Sequence, residues 1–173
     1  MSSNRMQLNA GKTEFMWCVP LRRRQHPPTD QLIVPSTSVA PLASVRDLGV
    51  PLDSDMSVHT HITQLVCSCN GVLRQLRRIR RSLKRSALTT LVTSFIMSKV
   101  DYCNVAFAGL QQYELDRVQS AINADARLTA DARRYDHVTQ LLINLHRLQL
   151  PQLTQYVLVY GCMNGTASDT CQT

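Results

Sequence analysis

The chain has 173 residues, 44% of them hydrophobic, with 19 Lys and Arg against 12 Asp and Glu, a formal net charge of +7. That length holds one domain or two small modules, and an aromatic content of 5% argues against a base-stacking platform of the kind single-strand binders use. The basic excess points to anionic partners, nucleic acid before acidic membrane surfaces.

No apolar stretch approaches the roughly 20 residues that cross a bilayer, and no apolar signal core follows Met1–Arg5. The expectation is an intracellular protein, nuclear or cytoplasmic, neither secreted nor membrane-spanning. Cysteines stand at 18, 67, 69, 103, 162 and 171 with no C-x-x-C spacing. They read as free thiols of a reducing compartment.

Residues 1–56 hold six of the seven prolines. Lys12–Val19 has the β-branched and aromatic character of a strand. A basic loop follows from Leu21 to Asp30, with Arg22-Arg23-Arg24 and Pro27-Pro28. Gln31–Val34 predicts a short strand ended by Pro35, and Val45–Leu52 another, which Pro51 restricts to an edge or an end.

From Ser57 onward the period becomes helical. Ser57 is placed to cap a long helix reaching about Arg81, because Ile62, Leu65, Val66, Cys69, Val72, Leu73, Leu76, Ile79 and Leu83 recur every three or four residues. Ser86 is placed to cap a second helix with Leu88, Leu91, Val92, Phe95, Ile96 and Val100 inward. A third spans about Tyr113–Arg133, with Leu115, Val118, Ala121, Ile122 and Ala126 inward. Val138, Leu141, Leu142, Leu145 and Leu148 mark a fourth that ends before Pro151. Leu153–Tyr160 fits a helix or a strand, and Gly161, Gly165 and the polar tail to Thr173 read as frayed. The expected fold class is α+β, mainly α. A small N-terminal β-hairpin region (1–56) precedes a bundle of four to five helices (57–150) and a C-terminal segment (151–173).

Arg74 to Arg85 carries seven of the cations in twelve positions, and no Asp or Glu occurs from Val58 to Val100. On one helix, Arg74, Arg78, Arg81 and Arg85 fall opposite the apolar stripe. Like charges at i,i+4 cost about 0.2–0.5 kcal/mol per pair, and water alone gives nothing back for that repulsion. Guanidinium forks fit phosphate oxygens. The competing reading is a solvated face, or one that docks an acidic protein.

Asp53 and Asp55 form D-x-D, a pattern that can hold Mg²⁺. Their place just before Ser57 favours the simpler role of acidic groups at a helix start. His59, His61, Cys67 and Cys69 are four zinc-ligand types, but residues two apart on a helix point about 200° apart. Cys69 fits better as a small apolar residue of the stripe. Cys103, Asp136 and His137 have the residue types of a nucleophile, orienter and base, with no nucleophile turn around them. His146 sits beside the fourth stripe as a packing or capping residue, and no phosphate-cradling glycine motif occurs. No cofactor and no metal are expected.

The order of these segments resembles the C-terminal part of reverse transcriptases from non-LTR, LINE-type retrotransposons. Leu8-Asn9-Ala10-Gly11-Lys12-Thr13-Glu14-Phe15 looks like the N-x-x-K-T-E-F strand after the catalytic aspartates of the palm. Val45-Arg46-Asp47-Leu48-Gly49-Val50, Leu52-Asp53 and His59-Thr60-His61-Ile62 are similar to the primer-grip passage. Leu73 to Arg81 resembles the first thumb helix. Leu91–Ile96, Lys99–Asn104, Leu115–Ser120, Asn123-Ala124, Ala126–Leu128, Asp136–Thr139 and Leu145-His146 match in order, so the resemblance covers about Leu8 to Gly165.

The resemblance implies the end of a palm plus a helical thumb, the template-primer-binding part of an RNA-directed DNA polymerase. In the intact family two Mg²⁺ ions serve the reaction. The Y-x-D-D strand that would hold them is absent here, so the chain is expected to be no enzyme by itself. Arg74, Arg77, Arg78, Arg81 and Arg85 are the implied contacts to an RNA/DNA duplex backbone, and Leu48 and Gly49 the implied primer-grip residues. The chain departs from the pattern at Asp125 for Ala, Thr129 for Ile, Arg147 for Trp, and at Pro51. Each departure puts a polar group or a proline where burial or strand pairing is wanted. This reading makes the chain the product of a decayed, truncated element. The alternatives are a non-enzymatic helical module that docks an acidic protein, or a product without function.

Overall fold

The structure, a computed structural model, describes residues 9–18, 30–34, 37–102 and 104–164. The expected basic loop with Arg22-Arg23-Arg24 and Pro27-Pro28, Cys103, and the tail beyond residue 164 lie outside the described residues. The chain divides into two compact units, Met1–His61 and Ile62–Thr173. The first contains two small antiparallel strand pairs and the second is helical, so the fold is α+β and mainly α.

In the first unit the strand expected over Lys12–Val19 does not form among the described residues. Asn9 intervenes: its Oδ1 accepts the Gly11 N–H at 3.0 Å and its carbonyl accepts the Thr13 hydroxyl at 2.8 Å. Side-chain bonds of this kind compete with ladder pairing, and they wind Ala10–Lys12 into a 3₁₀ turn. Residues 13–18 then run without strand pairing.

Strand β1 (Leu32–Val34) pairs with β2 (Thr37–Val39), Leu32 opposite Val39. The single strand expected over Val45–Leu52 is two strands, β3 (Ser44–Asp47) and β4 (Val50–Asp53), with Asp47 opposite Val50. Leu48 and Gly49 turn the chain with φ of 47° and 90°. Two positive φ values in a two-residue loop mark a type I′ turn, whose twist matches that of the strands. Pro51 is buried in β4 opposite Arg46. Proline is tolerated there because both strands of a two-stranded sheet are edges.

After β4 the chain starts helix α1 (His59–Ile79). The cap is Asp53 rather than Ser57: Asp53 Oδ2 accepts the Thr60 N–H at 2.9 Å and the Ser57 hydroxyl at 3.4 Å. Asp55 Oδ1 accepts the Ser57 N–H at 3.1 Å.

In the second unit α1 buries Ile62, Leu65, Cys69, Leu73 and Leu76, the stripe read from the period. The stripe fails at its end. Ile79 is half exposed because α1 gives way to a 3₁₀ turn (Arg80–Ser82) and an extended Leu83. Helix α2 (Arg85–Val92) starts after Lys84, not at Ser86. It runs through a π turn (Thr93–Met97) into α3 (Ser98–Asp101). The extra residue of the π turn rotates the rod, so Val92, Ile96 and Val100 are buried while Phe95 is exposed.

Helix α4 (Gln112–Ala130) buries Val118, Ala121, Ile122, Ala126 and Leu128, and packs on α2, on α5 (Val138–Asn144) and on α6 (Leu150–Met163). Arg117 reaches back to the Thr63 hydroxyl of α1 at 3.3 Å. Helix α5 is shorter than the expected fourth helix, and Leu148 lies beyond it, half exposed.

Pro151 does not end a helix. It sits in the first turn of α6, where its missing N–H costs nothing. Gln149 and Gln152 close a reciprocal capping box, and Gln119 Oε1 accepts the Leu150 N–H at 2.7 Å. The segment expected to be ambiguous and then frayed is therefore one helix through Gly161 to Met163, packed within the second unit.

Candidate nucleic-acid interface

Helix α1 presents Arg74, Arg77 and Arg78 as exposed side chains at its C-terminal end. Basic residues there are favourable to the helix dipole, which is one structural reason for the cluster. Arg81 lies in the 3₁₀ turn and Arg85 is the first residue of α2, both exposed. The single continuous face expected from Arg74, Arg78, Arg81 and Arg85 is therefore not built. The break after Ile79 divides them. Arg74 and Arg78 remain one turn apart on α1, while Arg81 and Arg85 join a different set.

That set lines a hollow of about 700 Å³ at the α1–α2 junction: Arg77, Arg80, Arg81 and Arg85, with Leu83, Leu88, Thr129 and Asp131. Arg77 and Arg80 also line an adjoining hollow of about 400 Å³ with Arg127 and Arg134. Arg80 is paired with Asp131, which caps α4 in the left-handed conformation, φ 59°. The Arg127 Nε is enclosed and has no hydrogen-bond partner among the described residues.

Arg80, Arg127 and Arg134 are not singled out by the sequence. On the expected continuous helix Arg80 falls with the apolar stripe, four residues after Leu76 and seven after Leu73, and not with the arginine face. Arg127 and Arg134 are about fifty residues away in sequence, and only the packing of α4 brings them beside α1. Their one local signal is the placement of basic residues at the end of α4.

Leu48 and Gly49 belong to the first unit and form the tip of the β3–β4 hairpin. Leu48 is 85% exposed despite its apolar side chain, and holds a left-handed φ that L-residues rarely adopt.

The other candidates resolve as follows. Asp53 and Asp55 are engaged at the start of α1 by the hydrogen bonds given above. His61 is half-buried with its Nε2 lacking a partner among the described residues, and burial pushes its pKa down. Cys67 is exposed and Cys69 buried, so they point apart. Burial is the main cause that pushes the Cys69 thiol up. Among the described residues no three His, Cys, Asp or Glu side chains gather as metal ligands. Asp136 Oδ2 accepts the Arg133 N–H at 2.6 Å, His137 is exposed at the N-cap position of α5, and Cys103 lies outside the described residues. His146 follows α5 with φ 54°, its N–H donating to the Ile143 carbonyl at 3.0 Å.

The three departures Asp125, Thr129 and Arg147 meet at one place. Asp125 and Thr129 are buried on α4, Arg147 on the α5–α6 connection is nearly so, and the Arg147 guanidinium pairs with the Asp125 carboxylate. The Thr129 hydroxyl donates to the same carboxylate at 3.3 Å. The sequence presents them as separate polar groups out of place, and the structure makes them partners. Burial pushes the Asp125 carboxyl up to about 6, with Arg147 and Thr129 acting against it.

No helix among the described residues is long and apolar enough to cross a membrane. No known protein family, curated protein or solved structure matches the chain.

Proposed function

We propose that the helical unit binds nucleic acid, as the template-primer-binding part of a reverse-transcriptase-like protein of the LINE type acting inside the cell, in nucleus or cytoplasm. The observation that carries this reading is the gathering of Arg74, Arg77, Arg78, Arg81 and Arg85 around the end of α1, exposed and without an acidic residue from Val58 to Val100. The ordered sequence resemblance supports it. The arginines meet phosphates, so they position a duplex without reading its sequence. The sequence has no Y-x-D-D motif, and Asp53 and Asp55 are occupied at a helix start, so the chain binds without polymerising.

The test is a salt series with an RNA/DNA duplex and an Arg74→Gln/Arg78→Gln variant. The log-log slope falls by roughly 0.9 for each phosphate that is no longer neutralised. Binding that weakens equally on every duplex sequence, with a slope flattened by the equivalent of about two phosphates, supports the reading. A variant that binds as tightly as the parent across the series sinks it and favours an acidic protein as the partner of this face.

A further inference from the structure

The arginines form two groups with different shapes, and the shapes fit different phosphates. Arg74 and Arg78 stand exposed one turn apart on α1 and do not line the hollow. Arg77, Arg81 and Arg85 line the concave hollow at the junction, whose buried residues Leu88 and Thr129 form its base. Four arginines line it against one aspartate, which is spent on Arg80, so three cations are in excess. A backbone diester carries a single charge and two free oxygens. A phosphate monoester carries about −1.5 to −2 at neutral pH and offers three acceptor oxygens, which suits a hollow lined by several guanidinium forks. Helix α2 begins on the same rim with no side-chain cap on its N-terminus, which adds to the preference for an anion.

We infer that the hollow bounded by Arg77, Arg81 and Arg85 is a pocket for a terminal phosphate, one with three free oxygens, beside the backbone contacts of Arg74 and Arg78. The inference deepens the nucleic-acid reading above and rests on it for the source of the group, the 5′-phosphate end of a strand. A free diphosphate offers the same chemistry, and the experiment separates the two.

The full chain is titrated with an oligonucleotide carrying a 5′-phosphate, with the same oligonucleotide ending in a 5′-hydroxyl, and with inorganic pyrophosphate. The parent, an Arg81→Gln/Arg85→Gln variant and an Arg74→Gln/Arg78→Gln variant are compared. All four side chains are exposed, and circular dichroism checks that each variant is folded. The expected result is roughly tenfold tighter binding of the phosphorylated end, a difference of about 1.4 kcal/mol. That preference disappears in Arg81→Gln/Arg85→Gln and survives in Arg74→Gln/Arg78→Gln, although overall affinity falls there. Saturable pyrophosphate binding that is abolished in Arg81→Gln/Arg85→Gln, without preference between the two ends, supports the pocket and assigns it to a free diphosphate. Equal binding of both ends together with no pyrophosphate binding overturns the pocket and leaves the duplex reading standing. Pyrophosphate binding with no oligonucleotide binding keeps the pocket and removes the nucleic-acid reading.

Discussion

Asp125 has no exposed surface, and a lone carboxylate there would be expelled or protonated. Arg147 and Thr129 hold it in place. Replacing Asp125 by Ala leaves a guanidinium only 8% exposed with no counter-charge, and Arg147→Leu leaves the converse; each is expected to cost about 3–5 kcal/mol in chemical denaturation. The triple variant Asp125→Ala/Thr129→Ile/Arg147→Trp installs the side chains that the resemblance leads one to expect. It is predicted to recover to within about 1 kcal/mol of the parent or beyond. A triple variant no better than the worst single one would show that the three do not act together. The same carboxyl sets a pH response. Its folded pKa is raised from 3.8 to about 6. Between these values the folded protein holds the proton that the unfolded chain has released, so this group's contribution to stability falls as pH rises from about 4 to about 6 and is flat above. The stability of the parent relative to Asp125→Asn should follow that fall. A rise over the same window would mean that pairing with Arg147 outweighs burial.

At the scale of elements, the decisive events are at ends and turns. Helix α1 starts where Asp53 caps it, and Asp53→Ala should lower stability by about 1 kcal/mol and speed hydrogen exchange of the first-turn amides around Thr60. Unchanged exchange at Thr60 would show that the cap contributes nothing. The β3–β4 turn places Leu48 in a conformation that costs an L-residue roughly 1–2 kcal/mol. Leu48→Asn, which tolerates that conformation, should stabilise the hairpin, measured as slower exchange of its ladder amides. Slower exchange with weaker duplex binding would mark the exposed leucine as a contact residue. The helical stripes of α1 and α4 were legible because burial on one side imposes a period of 3.6. The helix break after Ile79, the π turn and the start of α6 were not. No glycine or proline marks the first two, and Pro151 has opposite meanings at the end of one helix and in the first turn of the next.

For the whole molecule, no extension of a primed template is expected with Mg²⁺ or Mn²⁺, measured as nucleotide incorporation by the pure chain. Incorporation that an Asp53→Asn/Asp55→Asn variant loses would make the D-x-D pair catalytic after all. The sequence by itself determined the class, mainly helical after a short β region, because the apolar period and the proline distribution are local properties. It also located the basic run, since charge is written residue by residue. The tertiary structure alone decided that Arg81 and Arg85 leave the face of Arg74 and Arg78 to line a hollow, and that Arg127 and Arg134 come beside Arg77 and Arg80. It alone joined Asp125 to Arg147, 22 residues away in sequence. The physical reason is the same in each case: where a helix stops and which helices pack together depend on burial shared between distant segments, and pairing across such a boundary leaves no period in the chain.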